Sequence, residues 1–134
     1  MEEKIVSMEN IIKEFSGVRV LDNVDFNIYK GKVMALVGEN GAGKSTLMKI
    51  LTGVYVRTSG KVVLDGSPVE FNTTKESQDK GIAIIHQELN LVRDLSIGEN
   101  IFLGREPIGT GGKIKWKKLF DDSREWLTKL GLDE

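Results

Sequence analysis

The 134-residue chain contains no cysteine and only one histidine, His86. The first absence excludes a disulfide framework and cysteine-ligated zinc, and it suits a reducing compartment. The second excludes a multi-histidine metal centre. No apolar run approaches the roughly 18 residues that span a bilayer. The N-terminal stretch MEEKIVSMEN has no long apolar segment behind its charges, so it does not read as a signal peptide. The formal net charge is only -1, and no basic field points to nucleic acid or anionic lipid. These absences predict a soluble, cytoplasmic chain that reaches a membrane only through a partner. No internal repeat or low-complexity tail is present.

What is present is the composition of one globular domain, 40% hydrophobic and 29% charged, long enough to bury a core. Its first third reads as short strands. Lys4 to Asn10 alternates loosely, and Val18–Leu21, Val24–Ile28 and Lys32–Val37 are apolar runs separated by turn chemistry at Asp22-Asn23 and Lys30-Gly31. The run Val33-Met34-Ala35-Leu36-Val37 is the most apolar and predicts a strand buried on both faces of a parallel sheet. A helix is predicted over Ser45–Thr52, with Leu47, Ile50 and Leu51 on one face and Gly53 as its cap. Gly60–Asp65 predicts a strand, Asp65-Gly66 a turn, Thr73–Lys80 a short helix ending at Gly81, and Ile82–Ile85 a second buried strand. Gly104–Gly112, with Pro107, reads as a loop. Trp116, Leu119, Phe120, Trp126, Leu127 and Leu130 mark one face of an amphipathic helix, capped by Gly131.

Between the predicted strand and helix, residues Gly38-Glu39-Asn40-Gly41-Ala42-Gly43-Lys44-Ser45-Thr46 match G-x-x-x-x-G-K-[ST] in full. The glycines let the backbone curl until successive N–H groups face an anion. The helix that follows offers its own free N–H groups and dipole to the same anion. Lys44 adds a positive charge for the β- and γ-phosphates, the Ser45 hydroxyl a hard oxygen ligand for Mg²⁺, and Thr46 a further donor. The motif therefore predicts Mg-ATP binding. Asn40 is placed by the loop without an assigned chemistry. Three further stretches invite comparison. Gly109-Thr110-Gly111-Gly112-Lys113 has the look of a phosphate loop but lacks a preceding apolar strand and a following Ser or Thr, so a plain turn is expected. Val62-Val63-Leu64-Asp65 resembles a strand ending in a Mg-binding aspartate, but Gly66 makes it a hairpin turn. Leu95-Ser96-Ile97-Gly98-Glu99 resembles a transporter signature motif but lies too soon after Gln87.

Along its whole length the chain resembles the N-terminal part of the ATP-binding subunit of a bacterial ABC sugar importer of the ribose, galactose and xylose type. The resemblance rests on Phe15-Ser16-Gly17-Val18-Arg19-Val20-Leu21-Asp22, the P-loop, the Q-loop-like Ile85-His86-Gln87-Glu88-Leu89, and most tellingly the segment from Leu95 to Glu106. It implies an α/β P-loop NTPase core, incomplete here, with an antiparallel β subdomain in a strand-rich part over 1–87 and the start of a helical subdomain over 88–134. It also implies roles: Phe15 stacking on adenine, and Gln87 reaching Mg²⁺ or the attacking water. The segment after Gln87 would touch the membrane permease subunits, and the remainder of the ATPase subunit or a second ATPase domain would close over the nucleotide. Neither nucleic acid nor the sugar itself would be touched. The protein would lie at the inner face of the cell membrane through the permease.

Relative to that family, no apolar run ending in Asp-Glu follows Leu103, no signature-like sequence follows the Q-loop segment, and His86 is in the wrong place for the switch histidine. The expectation is a fragment, roughly a quarter of a two-domain subunit, that binds Mg-ATP with little or no hydrolysis, and whose incomplete sheet leaves it marginally stable or self-associating. Two other classes stay open. One is a different P-loop enzyme such as a kinase or a GTPase, although no guanine-reading Asn-Lys-x-Asp is found. The other is a module holding a structural nucleotide.

Overall fold

The computed structural model describes residues 3–86 and 91–132. Gln87 lies outside the described residues. The chain divides into two compact units, Met1–Ile85 and His86–Glu134.

The first unit is built on a four-stranded antiparallel sheet: β1 (Lys4–Phe15), β2 (Val18–Tyr29), β3 (Ser59–Leu64) and β4 (Ser67–Val69), in the order β2-β1-β3-β4. Helix α1 (Lys44–Leu51) covers one face, and α2 (Thr74–Asp79) follows β4. The buried side of the sheet carries Val6, Met8 and Ile11 of β1, Leu21 of β2, and Val62 and Leu64 of β3. These cluster with Leu47, Ile50 and Leu51 of α1 and with Phe71. The opposite side is polar: Ser7 Oγ donates to Asn27 Oδ1 at 2.8 Å, and Lys61 pairs with Glu9 at 2.8 Å. This is the division of a sheet with one solvated face.

The step from Met8 to Ile11 breaks strict alternation because the β1–β2 register shifts there. Asn10 sits at φ 50, and its N–H donates to the Asp25 carboxylate at 2.7 Å. A bulge of this kind re-aims the following side chains, returning Ile11 to the core. The turn expected at Asp22-Asn23 is likewise absorbed. Asn23 has φ 49, yet β2 continues through it as one 12-residue strand. Turn-forming residues have produced bulges because β1 supplies a partner along the full length. The β1–β2 turn is instead Ser16-Gly17, with φ 48 and 84, and the β3–β4 turn is Asp65-Gly66, with φ 48 and 75. Both pairs of positive angles match the two-residue hairpin turn that follows the strand twist. Asp65 is thus a turn residue, as its neighbour Gly66 predicts.

The expected buried parallel strands are not found. No ladder pairs residues 33–37 or 82–85 among the described residues. Val33 is 98% exposed, Val37 89% and Ile85 98%. A strand of a parallel sheet takes its hydrogen bonds and its burial from neighbours on both sides. Without those neighbours the two runs are unladdered connections, from which only Leu36 and Ile82 pack partly against the core.

In the second unit, α3 (Ile97–Phe102) packs on α4 (Trp116–Lys129). Ser96 caps α3 through a reciprocal box, its Oγ accepting from the Glu99 N–H while the Glu99 carboxylate accepts from the Ser96 N–H. That box is what Leu95–Glu99 forms here. Helix α4 follows the expected apolar stripe, but only Leu119 and Ser123 are buried, and Trp116, Phe120 and Trp126 stay about half exposed.

Candidate functional site

The end of α1 is where the fold concentrates unpaired polar backbone. The first intrahelical bond runs from the Leu47 N–H to the Gly43 carbonyl at 2.9 Å. The N–H groups of Gly43, Lys44, Ser45 and Thr46 therefore precede the ladder, and no acceptor meets them among the described residues. Gly43, at φ 88, holds the helix entry without a side-chain cap. A residue with a capping oxygen would have spent one of those donors. Gly41 at φ 89 turns the chain into this entry, and the Ala42 N–H closes the loop on the Glu39 carbonyl at 3.2 Å.

Lys44 reaches back over the loop. Its ammonium donates to the carbonyls of Gly38 and Glu39, each at 2.6 Å. An ammonium carries three donors, so one remains for an anion in the cradle. The Ser45 and Thr46 hydroxyls sit on the first turn of α1 and have no protein partner among the described residues. Gly38, Asn40, Gly41 and Ala42 are exposed around them. The predicted phosphate-binding residues are thus brought together on one loop and one helix end. Four free N–H groups, one cation and two free hydroxyls fit a polyphosphate with its divalent ion.

Two anchors fix this loop, the first expected from the apolar face of the predicted helix and the second not evident beforehand. Leu47, Ile50 and Leu51 seat α1 in the core. From the other side β2 crosses so closely that a Cβ at Gly43 would lie 2.6 Å from Leu21 Cδ2 and 3.1 Å from the Val20 carbonyl. The glycine of the motif is therefore required twice, by its backbone angle and by the strand beside it.

Phe15 lies at the end of β1, paired with Val18 across the hairpin and 37% exposed. Its ring meets Tyr55 edge to face, with centroids 5.1 Å apart, and the Lys13 ammonium stands 4.6 Å from its centroid. Lys13 and Tyr55 were missed from sequence. Lys13 precedes Phe15 by two residues and so shares its strand face, a signal that was there to be read. Tyr55 comes from the loop after α1, and nothing local foretells it.

The glycine-rich stretch 109–113 spends its donors internally: the Gly109 N–H binds the Lys113 carbonyl at 2.8 Å and the Gly112 N–H the Gly109 carbonyl at 3.2 Å. It is a closed turn, as expected, beside the Ile108–Ile114 bridge. His86 is exposed. No group of His, Asp and Glu side chains among the described residues could hold a metal by itself.

The ABC transporter family profile matches residues 21–134. The ribose import ATP-binding protein of Caldanaerobacter subterraneus subsp. tengcongensis is 53% identical over 131 residues, covering 98% of this chain and 26% of that protein. The xylose import ATP-binding protein of Geobacillus kaustophilus is 51% identical over 135 residues, covering 99% and 27%. The chain thus spans about a quarter of the length of the curated relatives it matches. Among solved structures, a nucleotide-free ATP-binding cassette of an ABC transporter superposes with a TM-score of 0.70 at 29% identity, over 88% of this chain and 46% of that one. A cassette in its ADP conformation gives 0.76 at 26% identity, over 97% and 55%.

Proposed function

The chain belongs to the ABC transporter family, and from that premise we propose that it is the phosphate-binding portion of an ATPase subunit that powers monosaccharide import. One observation carries this reading: four unaccepted N–H groups, from Gly43 to Thr46, converge with the Lys44 ammonium at the start of α1. Such an array is complementary to a phosphate-type anion, and its setting in G-x-x-x-x-G-K-[ST] supports a nucleoside triphosphate as that anion. The relatives at 51–53% identity bear the names of ribose and xylose import proteins, which supports a sugar importer as the setting.

In this reading each residue has a task. The N–H groups of Gly41, Gly43, Lys44, Ser45 and Thr46 line the cradle, with Gly38, Asn40 and Ala42 shaping it. Lys44 neutralises charge on the β- and γ-phosphates. Ser45 Oγ, on the first turn of α1, would be the chain's ligand to Mg²⁺, an ion that when bound would offset phosphate charge. Phe15 takes the adenine ring. Gln87 completes the Mg²⁺ shell or orients water at the γ-phosphate. Hydrolysis in the whole subunit is direct attack by water, with catalysis from positioning and charge stabilisation rather than a covalent intermediate. No residue of this chain is assigned as general base, so the chain binds Mg-ATP with little turnover.

Residues 88–134 begin a helical subdomain, and the stretch from Leu95 to Glu106 docks on the permease. The partners are those permease subunits and a further ATPase domain, with neither nucleic acid nor the sugar in contact. The subunit sits on the cytoplasmic side of the membrane through the permease. Among the described residues no helix is long and apolar enough to cross a membrane.

Calorimetry with Mg-ATP, on this chain and on Lys44→Ala, tests the proposal. Binding that requires both Mg²⁺ and Lys44 supports it. An unaltered affinity in Lys44→Ala, or no binding by the parent, removes the assignment from this chain. Robust hydrolysis that Lys44→Ala abolishes would overturn the claim of little turnover.

A further inference from the structure

The ring of Phe15 is not a free-standing platform. A set of contacts from Lys13, Tyr55 and Thr58 holds it and the loop behind it. The Lys13 ammonium donates to the Val56 carbonyl at 2.7 Å while standing 4.6 Å from the Phe15 centroid and 6.0 Å from that of Tyr55. Tyr55 meets Phe15 edge to face, with an interplanar angle of 74°. Tyr55 is in turn tied to α1, its N–H donating to the Lys49 carbonyl at 3.0 Å and its ring lying 5.3 Å from the Lys49 ammonium. The loop is also stitched to β1 on the other side: the Thr58 N–H donates to the Ile12 carbonyl at 2.9 Å, and the Glu14 N–H to Thr58 Oγ1 at 3.0 Å. Helix α1, whose first turn is the phosphate cradle, is therefore linked by its last turn to the aromatic residue at the end of β1.

From this arrangement we propose that Lys13 and Tyr55 are positioning residues for the purine. Lys13 occupies one face of the Phe15 ring and leaves the other for the base. Tyr55 sets the ring's tilt and its placement relative to α1. A cation on one face of an aromatic ring is attracted by the ring quadrupole, and pinning the ammonium on the Val56 carbonyl turns that attraction into an orientation. A ring held in place loses no rotamer freedom when a base stacks on it, so more of the stacking free energy appears as affinity. The inference rests on Phe15 being the base-stacking residue, and it adds the two residues that make it so.

The test compares two ligands that share a phosphate end, Mg-ATP and Mg-tripolyphosphate, by calorimetry on the parent chain and on Phe15→Ala, Lys13→Ala, Lys13→Arg and Tyr55→Leu. Loss of the cation over the ring is expected to weaken Mg-ATP about two- to fivefold in Lys13→Ala. Tripolyphosphate binding stays unchanged. Lys13→Arg, which keeps both the charge and a donor, restores ATP affinity. Tyr55→Leu reproduces the ATP-selective loss. If Lys13→Ala and Tyr55→Leu weaken both ligands alike, the residues act on the fold or the phosphate end, and the inference fails. It fails equally if Phe15→Ala lowers ATP affinity while Lys13→Ala and Tyr55→Leu do not. If Phe15→Ala changes nothing, the stacking role itself is wrong. If the parent binds neither ligand, the nucleotide reading is wrong and this inference falls with it.

Discussion

Gly43 leaves no room for a side chain beside Leu21: a methyl group built on it would lie 2.6 Å from Leu21 Cδ2. Leu21 is buried in the core, so it cannot swing aside without opening a void. The loop from Gly38 to Thr46 is thereby held in register against β2.

Gly43→Ala is therefore expected to destabilise the chain by about 1–3 kcal/mol, combining the cost of a left-handed angle for a residue with a Cβ and the cost of overpacking. Urea unfolding measures it. Pairing Gly43→Ala with Leu21→Ala relieves the steric part only, since φ 88 remains. Full recovery of the loop in the double variant would show that the angle matters less than stated.

Leu47 and Val33 separate genuine core from apolar composition. Leu47, on the buried side of α1, is 1% exposed. Truncation to alanine is expected to cost about 2–5 kcal/mol. Val33→Ala, in the most apolar run of the sequence, is expected to change stability by no more than about 0.5 kcal/mol. Equal losses from the two, in matched denaturation curves, would mean that Val33 is packed after all.

That contrast marks where sequence reading succeeded. The geometry of the 38–46 loop and helix start was legible because it is local: the glycines, Lys44, Ser45 and Thr46 lie close together in the sequence. Asp65-Gly66, the Thr73 start of α2 and the 116–129 helix were legible for the same reason. Asn23 misled because the same left-handed angle serves a turn or a bulge, and only the presence of a partner strand decides which. The run 33–37 misled because burial in a parallel sheet depends on strands elsewhere. Tyr55 was missed because its contact with Phe15 joins segments some forty residues apart, whereas Lys13, two residues before Phe15 on the same strand face, was legible and passed over.

Acid is expected to loosen the start of α3. The Glu99 carboxyl is held below its ordinary value of 4.5, first by the Ser96 hydroxyl and then by the Ser96 N–H. A carboxylate with a lowered folded value contributes stability that is complete above the unfolded value and is lost as pH falls through the folded one. Amides of residues 97–102 should thus lose hydrogen-exchange protection in titrations below 4.5. Glu99→Gln keeps an acceptor for the Ser96 N–H but cannot titrate, so its protection should be flat over that range. A parent profile equally flat would remove the capping box as the cause.

The exposed apolar runs carry the last expectation. Val33 and Val37 stand almost fully in solvent on a stretch of backbone whose N–H and C=O groups are not laddered to any strand among the described residues. Backbone in that state, with β-branched side chains along it, is a template for another copy of itself. Sedimentation velocity across a concentration series should show self-association of the chain. Val33→Lys together with Val37→Lys should suppress it, because charges along an edge oppose pairing and cost little where the side chains touch nothing. Helix α1 and the sheet, which do not draw on these residues for their buried cluster, should keep their stability in the double variant. A monomer at every concentration, with one sharp unfolding transition, would mean that residues 33–37 find their partners within the chain in solution.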